Sequence, residues 1–144
     1  MNLCNLKLQN FRNYDSLDLS FDPGVNLIVG DNAQGKTNIL EALYLCCTTK
    51  SHKGSKDKEM IKIGQDSAHI RVGVEKGGIE HTIDMHLKKN RSKGIAIDGV
   101  PIKKSSELVG LVQVVFFFAG GFKYYKKWSW RTTAVYRYGA LPAG

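Results

Sequence analysis

The sequence of 144 residues lacks any uncharged apolar run of about 18 residues, the length needed for a helix that spans a membrane. Its N-terminus, MNLCNLKLQNFRNY, has neither the basic start nor the apolar stretch of a secretory signal. Its only three cysteines, Cys4, Cys46 and Cys47, fit neither a disulfide framework nor a zinc-binding spacing. We therefore expect a cytoplasmic protein without a membrane segment, with Cys46 and Cys47 packed in its core.

Patterns of catalytic side chains are also missing. The four histidines have no metal-ligand spacing with cysteine or carboxylate, and we expect His81 and His86 to lie on strand surfaces. The sequence has no Ser-His-Asp or Cys-His arrangement typical of nucleophilic enzymes. We therefore predict no catalytic residue in this chain.

Positive charge is abundant but unevenly placed within the formal net charge of +8. Thirteen basic and seven acidic residues give residues 50–104 a charge of +6, and five basic residues with no acidic one give residues 118–144 a charge of +5. Eight of the fourteen aromatic residues also lie in 118–144. The charge suggests a nucleic-acid partner, and the break in composition near Phe118 needs its own explanation.

Hydrophobic periodicity predicts an α/β fold with a large antiparallel part. The run Val25–Val29 is uniformly apolar and bounded by turn signals, which predicts a buried strand. Helical spacing of Ile39, Leu43 and Cys47 predicts a helix over Lys36–Thr48. The other predicted elements are a strand over Asn2–Phe11 with a slip near its start, a strand over Leu17–Phe21, a turn at Asp22-Pro23-Gly24, a short helix over Asp57–Ile63, hairpins of Ala68–Glu75 with Ile79–Leu87 and of Gly94–Ile97 with Val100–Ile102, a short helix from Ser105 or Ser106 to Val109, and a buried strand over Leu111–Phe117.

The sharpest signal is a phosphate-binding loop between the predicted buried strand and the predicted helix. The segment Gly30-Asp31-Asn32-Ala33-Gln34-Gly35-Lys36-Thr37 fits the pattern G-x-x-x-x-G-K-[ST]. Gly30 and Gly35 let successive backbone N–H groups converge on phosphate oxygens, and the start of the helix adds its positive dipole end. Lys36 reaches the β- and γ-phosphates, and the Thr37 hydroxyl coordinates the Mg²⁺ that bridges them. The predicted ligand is therefore a nucleotide with Mg²⁺.

Other classes of P-loop protein fit less well. A GTPase is excluded because the guanine-binding motif N-K-x-D is absent. A small P-loop kinase stays an alternative, although hairpins follow the helix where such an enzyme has substrate strands and an arginine-rich lid.

Several further segments carry a family resemblance over residues 1–117. They are Lys7-Leu8-Gln9-Asn10-Phe11-Arg12-Asn13-Tyr14, the phosphate-binding loop continued by Asn38, Leu40-Glu41-Ala42, Ser51-His52-Lys53, Asp57-Lys58-Glu59, Asp98-Gly99-Val100-Pro101 and Val114-Val115-Phe116-Phe117. On these residues the sequence resembles the RecF family of bacterial DNA replication and repair ATPases, which groups with the ABC-type, SMC-like chromosome-maintenance ATPases.

The resemblance implies an incomplete ABC-ATPase-like lobe I, a P-loop NTPase fold in which a mixed sheet with antiparallel hairpins surrounds the P-loop helix. It implies ATP and Mg²⁺ as cofactors, with Asn32 and Arg12 near the nucleotide, although Arg12 can instead be a solvated charge at a strand end. It also implies an ATP-dependent homodimer, binding to single-stranded or gapped DNA, and mediator partners of the RecR and RecO type. The processes implied are recombinational repair and the SOS response.

Two motifs that such ATPases use for hydrolysis are absent from the sequence. It has no LSGGQ-type signature and no Walker B strand, an apolar run that ends in Asp-Glu. Without the acidic pair, Mg²⁺ is under-coordinated and nothing positions the attacking water. We therefore expect no useful ATP hydrolysis by this chain alone, and a non-functional remnant stays an alternative.

Two basic clusters either contact DNA phosphates or form solvated faces. The basic loop, as we call residues 50–62, contains Lys50, Lys53, Lys56, Lys58 and Lys62. The second cluster lies at a predicted hairpin tip and contains Lys88, Lys89, Arg91 and Lys93.

The tail, residues 118–144, has no family resemblance. The family continues with a segment like Phe-Ser-Pro-Glu-Asp-Leu, where this chain has Phe118-Ala119-Gly120-Gly121-Phe122. A shift of the reading frame by one base from Phe118 permits Ser-Pro-Glu-Asp-Leu and a long family-like continuation. A run of thymines, where a base is easily inserted, can encode Phe116-Phe117-Phe118. We therefore predict an ATP-binding lobe over 1–117 and an out-of-frame tail over 118–144, the alternative being a basic, aromatic nucleic-acid arm.

Overall fold

The computed structural model describes residues 1–29 and 35–112, together with the backbone of residues 117–119, 123–125 and 135–138. The chain divides into two compact units, Met1–Val112 and Gln113–Gly144. Within the described residues, no helix has the length and apolar character to cross a membrane.

Nine strands and three helices are found in the described segments. They are β1 (Asn2–Phe11), β2 (Tyr14–Ser20), α1 (Lys36–Thr48), α2 (Asp57–Met60), β3 (Ser67–Lys76), β4 (Ile79–Lys88), β5 (Arg91–Ile97), β6 (Val100–Pro101), α3 (Ser106–Val109), β7 (Phe117–Ala119), β8 (Lys123–Tyr125) and β9 (Val135–Tyr138).

The first unit is built on one antiparallel sheet of six strands in the order β2-β1-β3-β4-β5-β6. Alternation along the strands gathers the apolar side chains on one face, and α1 contacts β3 and β4. The register slips between Leu3 and Asn5, which confirms the predicted irregularity near the start of β1. The buried core contributed by these elements includes Leu6, Leu8, Ile39, Ala42, Leu45, Ile70, Val72, Ile83, Met85 and Leu87.

Two tight turns confirm the predicted hairpins. Gly77 and Gly78, between β3 and β4, have φ of 61° and 79°. Asp98 and Gly99, between β5 and β6, have φ of 52° and 80°. Two consecutive left-handed residues match the right-handed twist of paired strands. The Asp98 carboxylate also accepts the Thr82 N–H at 2.8 Å, which closes the second turn onto β4.

The helices largely follow the prediction. α1 begins at Lys36 and ends at Thr48, as predicted, and buries both Cys46 and Cys47. Burial raises the pKa of the Cys46 thiol well above its usual value and that of Cys47 to about 12, so both thiols stay protonated and pack as small apolar groups. α2 ends at Met60, three residues before the predicted end at Ile63, because Ile61 forms a β-bridge with Phe11.

The predicted buried strand Val25–Val29 is wrong for this structure. The segment has no strand conformation, and Val25, Leu27 and Val29 are 98%, 84% and 77% exposed. A uniformly apolar strand is stable only when neighbouring strands and helices cover it. None of the described strands pairs with this segment, so its apolar side chains stay exposed to solvent.

The predicted strand Leu111–Phe117 falls mainly on residues 113–116, which lie outside the described part. Leu111 and Val112 are not in a strand, and β7 begins at Phe117. In the second unit, β9 lies between two strands, parallel to β7 and antiparallel to β8.

The exposure of residues 25–29 gives a first prediction. Leu27→Ser is expected to change the free energy of unfolding by less than about 0.5 kcal/mol, because the side chain already contacts water. Ile83→Val, in the buried core, is expected to lower it by about 0.5–1.5 kcal/mol. Urea unfolding followed by circular dichroism compares the two. A larger loss for Leu27→Ser than for Ile83→Val would show that Leu27 is buried in solution.

Candidate nucleotide-binding site

Three residues of the phosphate-binding motif, Gly35, Lys36 and Thr37, lie in the described part of the chain, and residues 30–34 lie outside it. Gly35 is the N-cap of α1, with a left-handed φ of 97° that favours glycine. Its carbonyl accepts the N–H of Ile39 at 3.0 Å, which closes the first turn. Glycine has no side chain to cap the first N–H groups, so this helix start suits an anionic ligand. Thr37, the predicted Mg²⁺ residue, is exposed there.

The turn between β1 and β2 contacts the beginning of α1 through three consecutive residues. Arg12 pairs with Glu41, and Asn13 Oδ1 accepts from Asn38 Nδ2 at 3.0 Å. Tyr14 lies against Gly35, where an added β-carbon would be 2.5 Å from the Tyr14 hydroxyl oxygen. We call Arg12, Asn13 and Tyr14 the clasp.

The ion pair of Arg12 and Glu41 is the strongest of these contacts. Arg12 Nε donates to Glu41 Oε1 at 2.7 Å and Nη2 to Oε2 at 2.9 Å, a bidentate geometry. The Glu41 side chain is fully buried, and its Oε2 also accepts the Ser51 hydroxyl at 2.9 Å. Burial alone would raise the pKa of Glu41, but the hydrogen bonds from Arg12 and Ser51 outweigh it and lower that pKa.

Arg12 also binds the segment that follows α1. Its Nη2 donates to the Ser55 hydroxyl at 3.0 Å and its Nη1 to the Glu59 carbonyl at 3.1 Å. Its backbone N–H donates to the Met60 carbonyl at 2.8 Å. Its hydrogen bond to Glu41 raises the pKa of Arg12, which therefore stays charged. Arg12 is therefore not the solvated strand-end charge of the alternative reading, and its role at a nucleotide stays a prediction.

Some of the basic side chains in the two clusters form ion pairs, and others are exposed. Lys53, Lys56 and Lys58 of the basic loop are exposed, whereas Lys62 pairs with Asp15. In the second cluster, Lys93 pairs with Asp57 at 3.1 Å and Lys89 with Asp66 at 4.0 Å. Lys88, Lys89 and Arg91 are exposed at the β4–β5 turn.

Pattern analysis missed a second polar cluster on the sheet face opposite the apolar one. Asp84 Oδ1 accepts Arg71 Nε at 2.7 Å and lies 2.8 Å from His69 Nε2, and the His69 ring stacks on His86 with centroids 4.3 Å apart. Burial would raise the pKa of Asp84, but Arg71 and His69 lower it. Burial and the charge of His69 lower the pKa of His86. His86 lies at the strand surface as predicted, and His81 is only half-buried.

A metal site does not emerge from these groups. In the segments the structure describes, no three histidine, cysteine or acidic side chains are close enough together to hold an ion. A groove of about 460 Å³ lies near the second polar cluster, lined on β1, β2 and β3 by residues that include Lys7, Ser16 and Arg71. None of the described motif residues, Gly35, Lys36 and Thr37, lines this groove.

The chain is similar to known proteins in sequence and in fold. The family model described as AAA domain matches residues 5–127. A solved structure of the recombination mediator protein RecF with ATP, from the RecFOR pathway, superposes with a TM-score of 0.74 at 36% identity, over 81% of this chain and 32% of that one. The SMC head domain from Thermotoga maritima superposes with a TM-score of 0.62 at 26% identity, over 72% and 39% of the two chains.

The chain therefore belongs to the AAA domain family, and its fold is that of an incomplete P-loop ATPase lobe, as predicted. Its relatives identify the branch as RecF-like. The DNA replication and repair protein RecF of Lachnoclostridium phytofermentans is 62% identical over 112 residues, and that of Agathobacter rectalis 66% over 112. The RecF of Clostridium acetobutylicum is 45% identical over 117 residues. The chain spans about a third of the length of these relatives, 31–32%.

Proposed function

We propose that the chain binds ATP with Mg²⁺ through the phosphate-binding motif of residues 30–37, as the nucleotide-binding part of a RecF-like DNA replication and repair protein. The observation that carries the proposal is the start of α1. A left-handed Gly35 is followed at once by Lys36 and Thr37 on a helix that begins where the motif requires it. The similarity to RecF solved with ATP supports the choice of nucleotide.

The residues that would hold the cofactor follow from the motif. The backbone N–H groups between Gly30 and Gly35 cradle the phosphates, Lys36 neutralises charge on the β- and γ-phosphates, and the Thr37 hydroxyl is an Mg²⁺ ligand. When bound, the metal neutralises charge on the phosphates.

The proposed macromolecular partner is DNA, single-stranded or gapped. The support on this chain is the basic loop, whose exposed Lys53, Lys56 and Lys58 can neutralise backbone phosphates. The RecF resemblance further suggests an ATP-dependent homodimer, mediator partners of the RecR and RecO type, and a role in recombinational repair and the SOS response.

We also propose that the ATP-binding lobe extends over residues 1–117 and that 118–144 is read out of frame. The support is the family-like peptide that the shifted frame permits from Phe118 onward, and the RecF relatives named above match 112–117 residues of this chain. Resequencing of the gene tests this. An intact base run that still encodes Phe118-Ala119-Gly120 would contradict it.

Thermal unfolding with and without Mg-ATP tests nucleotide binding. At a ligand concentration of 100 Kd, binding to the native state alone is expected to add about 2.7 kcal/mol of stability. We expect Lys36→Ala to lose most of this gain, because the phosphates lose their main cation. Lys103→Ala, an exposed lysine outside the motif and outside both basic clusters, is the matched control and keeps it. A wild-type chain that ATP does not stabilise contradicts the proposal, and turnover of a small phosphoryl acceptor would point to a kinase.

A further inference from the structure

The clasp contacts α1 along a single strip. Its three residues meet α1 at Gly35, Asn38 and Glu41, which are spaced three apart and therefore lie on one face of a helix. The first contact of this strip is at Gly35, the last glycine of the phosphate-binding motif. Lys36 and Thr37 lie between that contact and the next one, at Asn38. The two motif residues on α1 are thus bracketed by clasp contacts.

The hydrogen-bonding capacity of Arg12 is nearly used up inside the protein. A guanidinium has five N–H donors. Two go to Glu41, one to Ser55 and one to the Glu59 carbonyl, which leaves at most one, on Nη1. If Arg12 turned toward a phosphate with its bidentate edge, it would leave the buried Glu41 carboxylate with Ser51 as its remaining hydrogen-bond donor. Arg12 therefore makes a fixed internal contact with Glu41 and has at most one donor left for any other partner.

The backbone of the clasp is held in an unfavourable conformation. Arg12 has a φ of 53°, in the left-handed region that disfavours most side chains. Asn10, two residues before the clasp, also has a left-handed φ, of 52°, which asparagine tolerates better. Hydrogen bonds from Arg12 N–H to Met60 and from Lys62 N–H to Asn10 fix the turn from the side of the basic loop. Such conformations persist where the surrounding structure over-determines them, often at functional sites.

We propose that the clasp and Glu41 position the first turns of α1, and so Lys36 and Thr37, for nucleotide binding. Arg12 and Glu41 are then positioning residues that act through α1. Phosphate recognition needs a lysine and several N–H groups held within a fraction of an ångström. The inference rests on the proposed function, because it assigns the clasp a role in that same site.

Hydrogen exchange measured without nucleotide provides the first test. In Arg12→Lys and Glu41→Gln, the amides of residues 39–43 are expected to exchange about 10-fold faster, because the start of α1 opens more often. Asp84→Asn is the matched control, since Arg71 and Asp84 form a similar pair on the other face of the sheet, and its effect there is expected to be less than about 2-fold. Asn13→Ala, which removes one exposed amide contact, is a milder variant and is expected to give about 3-fold.

Mg-ATP titration of the folded variants provides the second test. We expect Arg12→Lys and Glu41→Gln each to weaken binding about 10-fold, and Asp84→Asn to leave it unchanged. Unchanged binding in Glu41→Gln with weaker binding in Arg12→Lys would overturn the proposal, because Arg12 would then be a direct ligand. Unchanged α1 exchange would overturn it as well. If the wild-type chain binds no ATP, the proposed function fails, and exchange alone decides whether the clasp positions α1.

Discussion

Arg12→Met is expected to lower the free energy of unfolding by about 3–5 kcal/mol at pH 7. The substitution keeps most of the side-chain volume but removes the two donors that bind the buried Glu41 carboxylate. Ser51 stays as its hydrogen-bond donor, and Lys53 attracts its charge without a hydrogen bond to it. The loss therefore reflects a buried charge left unpaired more than the strength of the pair itself. Urea unfolding by circular dichroism measures it.

The pH dependence of this loss identifies its cause. In the wild type, the Glu41 pKa lies below its ordinary value of 4.5, so its stabilisation is present above pH 4.5 and is lost as the pH falls through the lowered pKa. In the variant, burial without Arg12 raises that pKa, so the penalty is present at neutral pH and disappears as Glu41 is protonated. The difference between the two proteins is therefore largest near pH 7 and shrinks in acid.

Arg71→Met is the control for this prediction. Asp84 is also mostly buried, but His69 still hydrogen-bonds to it when Arg71 is removed, so the expected loss is about 1–2 kcal/mol. If Arg12→Met lost no more than Arg71→Met, or lost the same amount at pH 4 and pH 7, the Glu41 carboxylate would not be the source of the effect.

Most of the sheet could be predicted from sequence because its signals are local. Alternation along β3 and β4, and along β1 after its slip near Leu3, sets the strands together with the turns at Gly77-Gly78 and Asp98-Gly99. The register of β3 with β4 places Arg71 directly opposite Asp84, so the hairpin turn could have revealed this pair. The segment 25–29 could not be placed in the same way, since a strand of that composition depends on partners far along the chain.

The contacts between the clasp and α1 could not be predicted from sequence patterns, for a different reason. Helical spacing predicts that the apolar residues of α1 are buried in the core. It does not predict that Glu41 is buried with them. Its burial is possible only because Arg12, 29 positions earlier in the chain, meets it across the fold. The resemblance marked both segments as significant, but only the coordinates show that their side chains bind each other.

Gly35→Ala is expected to lower the free energy of unfolding by about 2–4 kcal/mol, from two separate causes. A φ of 97° is strained for alanine, and the new β-carbon would meet the Tyr14 hydroxyl oxygen at 2.5 Å and ring carbons at 2.9 and 3.0 Å. The start of α1 must shift to relieve these contacts, so we also expect Mg-ATP stabilisation to be lost.

Gly54→Ala separates the two causes, because Gly54 also has a left-handed φ of 74° but has open space around its α-carbon. It is expected to cost about 1–2 kcal/mol, the backbone part alone. Combining Gly35→Ala with Tyr14→Leu should recover the steric part, so that the pair is less destabilising than the sum of the single variants. Equal losses for Gly35→Ala and Gly54→Ala would show that Tyr14 yields freely to a methyl group. The Tyr14 contact would then contribute nothing to the position of α1. The contacts of Asn13 and Arg12 would position the helix without it.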